Sequence, residues 1–346
     1  MDARNPGGMK AMHIPDRRPA LVDRFGREIS YLRISVTDRC DYRCIYCMDP
    51  DTRFVPRAQV LSFEEVSAIA AAFVRLGVTK IRVTGGEPLM RRDIVSLLGR
   101  LAALPGLREL VLTTNGSQLA RFARDLRAAG VRRLNISLDS LDAARFRAIT
   151  RTGDLAQVLA GIDAACAAGF ERIRINAVVL AHRNADEVVP LVRYAAARGM
   201  DIAFIEEMPL GTVSDHDRAE AYYSSDRIRA DLARVFALVP TTETTGGPSR
   251  YHRLAGTSIR VGFISPHSHN FCGDCNRVRL TAEGRLLLCL GQEHAADLRR
   301  VVREHPGDTR QLEAAIRAAM ILKPHGHDFV LGAQPLVFRR MNATGG

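Results

Sequence analysis

Three cysteines, Cys40, Cys44 and Cys47, fall within eight residues, in the stretch Cys40-Asp41-Tyr42-Arg43-Cys44-Ile45-Tyr46-Cys47. An iron–sulfur cube has four corner irons and is held by cysteine thiolates. Three thiolates leave one iron without a protein ligand, open to a small molecule. A zinc site usually takes four ligands in paired CxxC spacing, and a disulfide does not suit a chain that shows no secretory leader. Upstream, Tyr31-Leu32-Arg33-Ile34-Ser35-Val36 alternates and carries β-branched residues, which predicts a strand. The thiols then sit on the loop that follows it, where binding groups usually stand above a rigid scaffold.

A second set is Cys272-Gly273-Asp274-Cys275 followed by Cys289. CxxC at a turn with a third thiol after a hairpin is a metal signature. Zinc with a fourth ligand from His267, His269 or His294 and an iron–sulfur cluster are both compatible with it, since thiolates suit either. Asn276-Arg277-Val278-Arg279 comes next, and strand alternation puts Arg277 and Arg279 on one face. Two arginines beside a metal site suit an anionic ligand, although a solvated charged face gives the same pattern. The seventh cysteine, Cys166, lies in an Ala-rich helical stretch and is expected in the core.

The elements that must position these groups alternate. Ser62-Phe63-Glu64-Glu65 predicts a capped helix start, and Val66, Ile69, Ala70, Phe73 and Val74 keep helical spacing to Gly77. Strands are predicted at Lys80–Val83, Glu109–Leu112, Arg133–Ser137, Arg172–Val179 and Ile202–Glu206, with helices between them near Asp93–Ala103, Leu119–Ala129 and Glu187–Ala197. Six strand–helix units imply a parallel sheet in a full or partial barrel, with the site on the loops after the strands. Thr84-Gly85-Gly86-Glu87-Pro88 and Thr113-Thr114-Asn115-Gly116 are such loops, and the glycine pair allows close approach of backbone to a ligand. From Tyr223 the pattern changes: a helix at Ser225–Phe236, hairpins from Tyr251–Leu254 to Ser258–Ile264 and from Val278–Leu280 to Leu286–Leu288, then helices near Ala296–Glu304 and Thr309–Met320.

The composition is that of a globular protein: 346 residues, 47% hydrophobic and 25% charged. No apolar run approaches the roughly 18 residues of a membrane helix. Met1 to Arg18 is polar and Gly/Pro-rich, without an apolar leader, which implies a flexible extension and a cytoplasmic protein. Net charge is +11, carried almost wholly by arginine, because lysine occurs only at Lys10, Lys80 and Lys323. A basic chain attracts polyanions. With no helix-turn-helix, zinc-finger or RNA-binding signature and no Trp, an anionic small substrate accounts for the charge as well as nucleic acid does. The expected division is a flexible extension at 1–20, a barrel at 21–223, a second α+β region at 224–340 and a tail at 341–346 with no structure signal.

CxxxCxxC with an aromatic Tyr46 before its last thiol resembles the cluster signature of radical S-adenosylmethionine (SAM) enzymes. Leu32-Arg33-Ile34-Ser35-Val36-Thr37-Asp38-Arg39-Cys40, Thr84–Arg92, the Cys272/Cys275/Cys289 set and the terminal Gly345-Gly346 together resemble the GTP 3′,8-cyclase family of molybdenum-cofactor biosynthesis, from about Val22 to the end of the chain. The resemblance decides the second set in favour of a cluster. It implies an α/β fold: an incomplete (βα)6 TIM-like barrel, closed at one side by a C-terminal α+β domain that carries a second [4Fe-4S] centre.

What the family does is then expected here. A lyase reaction would use SAM at the first centre, on Cys40, Cys44 and Cys47, to make a 5′-deoxyadenosyl radical. That radical takes the 3′ hydrogen of GTP, and C3′ bonds to guanine C8, giving (8S)-3′,8-cyclo-7,8-dihydroguanosine 5′-triphosphate. The second centre, on Cys272, Cys275 and Cys289, would hold the guanine. Carried over by position, Tyr46, Gly86, Ser137 and Met208 would contact SAM. Arg33, Lys80, Arg82, Thr113, Arg174, Arg277 and Arg279 would contact GTP. Arg277, Arg279, Gly345 and Gly346 would act in catalysis, the glycines as a flexible tail reaching into the site. The partners implied are a flavodoxin- or ferredoxin-type electron donor and the cyclic pyranopterin monophosphate synthase downstream, with no nucleic acid or membrane, in a monomer or homodimer.

Three positions depart from the family pattern. Arg174 stands for a lysine, Ala203 for an arginine on the sixth strand, which removes one expected triphosphate contact, and Asp49 for a proline. The competing readings are another radical SAM enzyme with an auxiliary cluster, such as a peptide modifier, and a non-catalytic metal-binding nucleic-acid protein. The first usually has more auxiliary cysteines and lacks the Arg277/Arg279 pair and the GlyGly end. The second leaves Thr84–Pro88 unexplained.

Overall fold

The computed structural model describes residues 20–213, 216–332 and 337–345. Six strands, β1 (Tyr31–Ser35), β2 (Lys80–Thr84), β3 (Glu109–Thr114), β4 (Arg133–Ser137), β5 (Arg172–Val178) and β6 (Asp201–Ile205), pair in sequence order, each parallel to the next. Helices α1 (Phe63–Arg75), α2 (Ile94–Ala102), α3 (Leu119–Ala128), α4 (Ala143–Thr150), α5 (Leu155–Ala167) and α6 (Val188–Ala197) make the crossovers. Two of them, α4 and α5, make the crossover from β4 to β5. The Ser62 side chain accepts from Glu65 N while Glu65 accepts from Ser62 N, so the capping box that starts α1 forms.

Short helix α7 (Arg218–Ala221) leads into α8 (Ser225–Ala233). The later strands β7 (Leu238–Pro240), β8 (Arg250–Leu254), β9 (Arg260–Ile264), β10 (Arg277–Leu280), β11 (Arg285–Leu287) and β12 (Ala295–Asp297) then join both edges of the same sheet. β10 runs parallel to β1 and β9 parallel to β6, so the C-terminal region joins the barrel sheet at both of its edge strands. β7 and β12, three residues each, carry too little pattern to be read from sequence. Helices α9 (Leu298–Glu304) and α10 (Thr309–Ile321) pack on the α1 side, and Met341–Thr344 forms α11, a stretch whose residues carry no structure signal.

One apolar core lies between the sheet and its helices, from Leu32 and Ile34 through Phe73, Leu97, Leu112, Val158 and Ile175 to Phe204. Cys166 is not part of it. The buried face of α5 is Leu155, Val158, Ile162 and Ala165, and Cys166 lies one residue off that stripe, exposed. No helix of the described residues is long and apolar enough to cross a membrane.

Candidate functional site

The strand ends and the loops beyond them enclose one cavity. Both cysteine sets line it: Cys40, Cys44 and Cys47 on the β1–α1 loop, Cys272 and Cys275 on the β9–β10 loop, and Cys289 after β11. Cys272 and Cys275 sit beside β10, which pairs with β1, the strand that carries the first set. This strand pairing brings together residues more than two hundred positions apart.

All six thiols are free. Burial pushes Cys40 and Cys44 upward, with Glu87 and Cys47 respectively adding to it, and raises Cys47 to about 12 against the opposing effects of Asn342 and Arg340. Thiols in such surroundings become thiolates only when a cation binds them. Among the described residues no three His, Cys, Asp or Glu side chains converge tightly enough to hold a single metal ion. Mononuclear zinc needs such convergence; a cube, whose thiols each take a different iron, tolerates a wider spread. Of the three histidines considered for a zinc site, His267 Nε2 lies 2.9 Å from Glu207 O, His269 Nε2 2.9 Å from Asp226 Oδ1, and His294 is exposed. Three thiols on one loop fit an iron–sulfur centre at the first set. At the second set, burial raises Cys275, but Arg277 and Lys323 outweigh it and bring the thiol down to about 7.

Tyr46, Gly86, Ser137 and Met208 line the cavity near the first set. The Tyr46 hydroxyl donates to Asp139 Oδ2 at 2.6 Å, and Asp139 Oδ1 accepts from Val178 N, so the ring is fixed from β4 and β5. Burial raises Asp139 to about 6 and Glu87 to about 7. Glu87 accepts from Leu89 N, Thr114 Oγ1 and Asn115 N, tying the loops after β2 and β3 together. Neither carboxylate stands out in the sequence. Gly85 and Gly86 have a further reason to be glycine: a Cβ would lie 2.7 Å from Thr37 O at Gly85 and 2.3 Å from Arg39 O at Gly86. Their small size lets the β1 and β2 loops touch, with Gly86 N donating to Thr37 O at 2.7 Å.

The barrel floor is cationic. Register puts Arg279, Arg33 and Arg82 side by side on β10, β1 and β2, with Arg277 opposite Tyr31 one row below. They stand on neighbouring strands about 4.8 Å apart, and like charges held on one face repel each other. Burial, then Arg279, holds Arg33 well below the usual arginine range; burial, then Arg277, lowers Arg279 to about 10. Arg82, Arg174, Arg277 and Arg279 make no ion pair with a carboxylate among the described residues. Thr113 accepts from Arg82 Nη1 at 3.2 Å, and Asn135, with its amide oxygen turned inward, bridges Arg82 and Arg174 Nη2.

Two expected contacts are placed differently. Lys80 is not in the cavity wall. It sits at the N-terminal end of β2, paired with Glu109 at 2.6 Å, and donates to Thr245 O at 2.7 Å. It thereby supports the β7–β8 loop, whose Thr245, Gly247 and Pro248 do line the cavity. Gly345 is buried against Thr84 and accepts from Arg279 Nη1, while Gly346 lies outside the described residues. At Ala203, opposite Gly262 on β9, the space is narrowed by Tyr251: a Cβ on Gly262 would lie 2.8 Å from its ring. The Tyr251 hydroxyl accepts from Arg174 Nη1 at 2.6 Å and lies 3.2 Å from Thr245 Oγ1. No motif in the sequence marked Tyr251.

A parallel barrel with three thiols after its first strand defines the class, and residues 34–195 match the model of the radical SAM superfamily. Residues 200–329 match that of Molybdenum Cofactor Synthesis C. Streptococcus suis SuiB, solved with S-adenosylmethionine bound, has the same fold at a TM-score of 0.59 and 15% identity, over 91% of this chain and 77% of its own. The GTP 3′,8-cyclase of Pseudomonas entomophila (strain L48) is 64% identical over 328 residues, 94% of this chain and 98% of that protein. That of Pseudomonas syringae pv. syringae (strain B728a) is 59% identical over 329 residues, 95% and 99%. The chain belongs to the GTP 3′,8-cyclase family. As a radical SAM protein it uses an iron–sulfur centre and SAM.

Proposed function

We propose that the chain is a GTP 3′,8-cyclase, a lyase of molybdenum-cofactor biosynthesis. The observation that carries this reading is the row of buried arginines, Arg279, Arg33 and Arg82, in the cavity that both thiol sets line. Side-by-side buried cations, of which Arg82 and Arg279 make no ion pair with a carboxylate among the described residues, call for a polyanion, and a triphosphate is one. Cys40, Cys44 and Cys47 would hold the iron–sulfur centre, which with SAM would supply the one-electron chemistry needed to remove the 3′ hydrogen of GTP and join C3′ to guanine C8.

The chain's residues bind, orient and shield. Tyr46, Gly86, Ser137 and Met208 form the SAM wall. Arg33, Arg82, Thr113, Arg174, Arg277 and Arg279 hold GTP, with Lys80 acting through the β7–β8 loop. Cys272, Cys275 and Cys289 carry a second cluster that receives the guanine, and Gly345-Gly346 completes the site. Residues 21–223 form the radical SAM barrel and 224–340 the auxiliary-cluster region. A flavodoxin- or ferredoxin-type protein supplies the electron, the product passes to cyclic pyranopterin monophosphate synthase, and a reducing cytoplasm suits the open thiols. Incubation with GTP, SAM and a reductant without oxygen tests the reading. It should yield 5′-deoxyadenosine and the cyclised nucleotide, and deoxyadenosine without any GTP-derived product would sink it.

A further inference from the structure

Lys323 is one of the largest fully buried side chains, 1% exposed. Its ammonium forms no ion pair with a carboxylate among the described residues. Nζ donates instead to Leu288 O at 2.6 Å and Arg277 O at 3.0 Å, and lies 3.6 Å from Cys275 Sγ. Leu288 directly precedes Cys289, and Arg277 comes two residues after Cys275. One side chain therefore joins the backbones of the two segments that present those thiols.

The residues after Lys323 wrap the third thiol. Arg27, held by Asp23 at 2.7 Å, donates to Pro324 O, His325 O and Cys272 O, stitching the 323–326 segment to the Cys272 loop. A Cβ on Gly326 would lie 3.5 Å from Cys272 Sγ. Lys323-Pro324-His325-Gly326 thus borders all three cysteines of the second set.

An ammonium buried without an anion is strongly unfavourable, and carbonyl oxygens alone offset only part of that cost. Thiolates would supply the missing negative charge. We propose that Lys323 is the positioning and charge-balancing residue of the second thiol set, fixing Cys275 against Cys289 and countering the negative charge of a thiolate-ligated iron–sulfur centre there. The inference rests on the reading that this set binds a cluster. A positive charge this close favours the reduced, more negative form of the centre. Its removal should lower the midpoint potential.

The test uses the full chain, reconstituted without oxygen, with Lys323→Met and Lys323→Gln. Iron is counted per chain. The midpoint is read by electron paramagnetic resonance in a background where Cys40, Cys44 and Cys47 are alanine, so that only the second centre reports. Wild type should hold about eight irons, four per cube. Lys323→Met should fall to about four, with the surviving first centre reporting that the chain is folded. Lys323→Gln keeps a hydrogen-bond donor but no charge, and should either lose the second centre or hold it at a lower midpoint. Full iron with an unchanged midpoint in Lys323→Gln would overturn the inference even if Lys323→Met failed to fold. Wild type with only about four irons would overturn the two-cluster reading itself, and the two failures are thereby told apart.

Discussion

Arg279 Nη1 donates to the carbonyl oxygen of Gly345 at 2.9 Å, linking β10 beside the second thiol set to the far end of the chain. Arg340 reinforces the placement by pairing with Asp49 and donating to Thr52 Oγ1, just beyond the first thiol loop. Asn342 Nδ2 donates to Asp38 O at 3.1 Å. The C-terminal segment thereby touches the first thiol loop and β10, the strand that follows Cys275, and the aspartate that stands for the family's proline at position 49 has a partner.

Deleting Gly345 and Gly346 should therefore abolish cyclisation while the iron content stays at the wild-type level. Gly345→Ala is the finer test. Gly345 has φ +76, and a Cβ would lie 2.5 Å from Thr84 Cγ2. A left-handed backbone costs an ordinary residue about 1–2 kcal/mol, so the turnover of Gly345→Ala should drop roughly tenfold or more. Full turnover in the truncated chain would remove the tail from the reaction.

Arg277→Ala should weaken GTP binding. A hydrogen bond to a charged group contributes about 1.5–3 kcal/mol, which corresponds to roughly ten- to hundredfold in Kd. Equilibrium binding of GTP and guanosine to the reconstituted protein separates phosphate from base contacts. Loss for GTP alone assigns Arg277 to phosphate, equal loss for both assigns it to the guanine end, and unchanged affinity excludes it from the site.

Much of this was legible because the signals are local. Period-two strands, helical spacing and the Ser62 cap gave the six parallel units, and cysteine spacing gave both thiol sets. What stayed hidden depends on pairings distant in sequence. Nothing near Arg33 says that Arg279 lies beside it; that follows only when β10 pairs with β1. Lys80 reads as a strand cation aimed at the cavity, but its register places it at the strand's outer end, opposite Glu109. Cys166 missed the core by one residue of helical phase. Glu87, Asp139 and Tyr251 are ordinary in sequence and matter only through burial.

Gly86→Ala and Gly99→Ala should move stability in opposite directions. The first puts a methyl 2.3 Å from the backbone oxygen of Arg39, which cannot swing away, whereas Gly99, within α2, has nothing within 4 Å. Overpacking costs about 1–3 kcal/mol, and replacing a helix-interior glycine with alanine gains roughly 0.5–1 kcal/mol. Thermal melts of the two variants should fall below and rise above wild type respectively. A Gly86→Ala chain that melts like wild type would mean the two loops are not in contact.

Tyr251 gives a pH dependence with a definite sign. Burial alone would raise its phenol, but Arg174 and the Thr245 contact outweigh it and bring it down to about 8. Tyr31, beneath Arg82 and Arg33, is likewise lowered to about 8 against burial. Below that pH both phenols are neutral and the arginines keep their full charge for a polyanion. Above it, phenolate forms beside Arg174 and beside Arg82, cancelling charge that phosphate would otherwise meet. GTP affinity should thus fall as pH rises through about 8, a range in which the phosphate itself is already fully ionised, its second pKa being about 6. The fall should shrink in Tyr251→Phe and vanish in the Tyr31→Phe/Tyr251→Phe double variant. At pH 7, Tyr251→Phe should still bind GTP several-fold less tightly, because Arg174 loses the oxygen that orients it. A pH profile identical in wild type and double variant would show that neither phenol reaches the bound phosphate through its arginine.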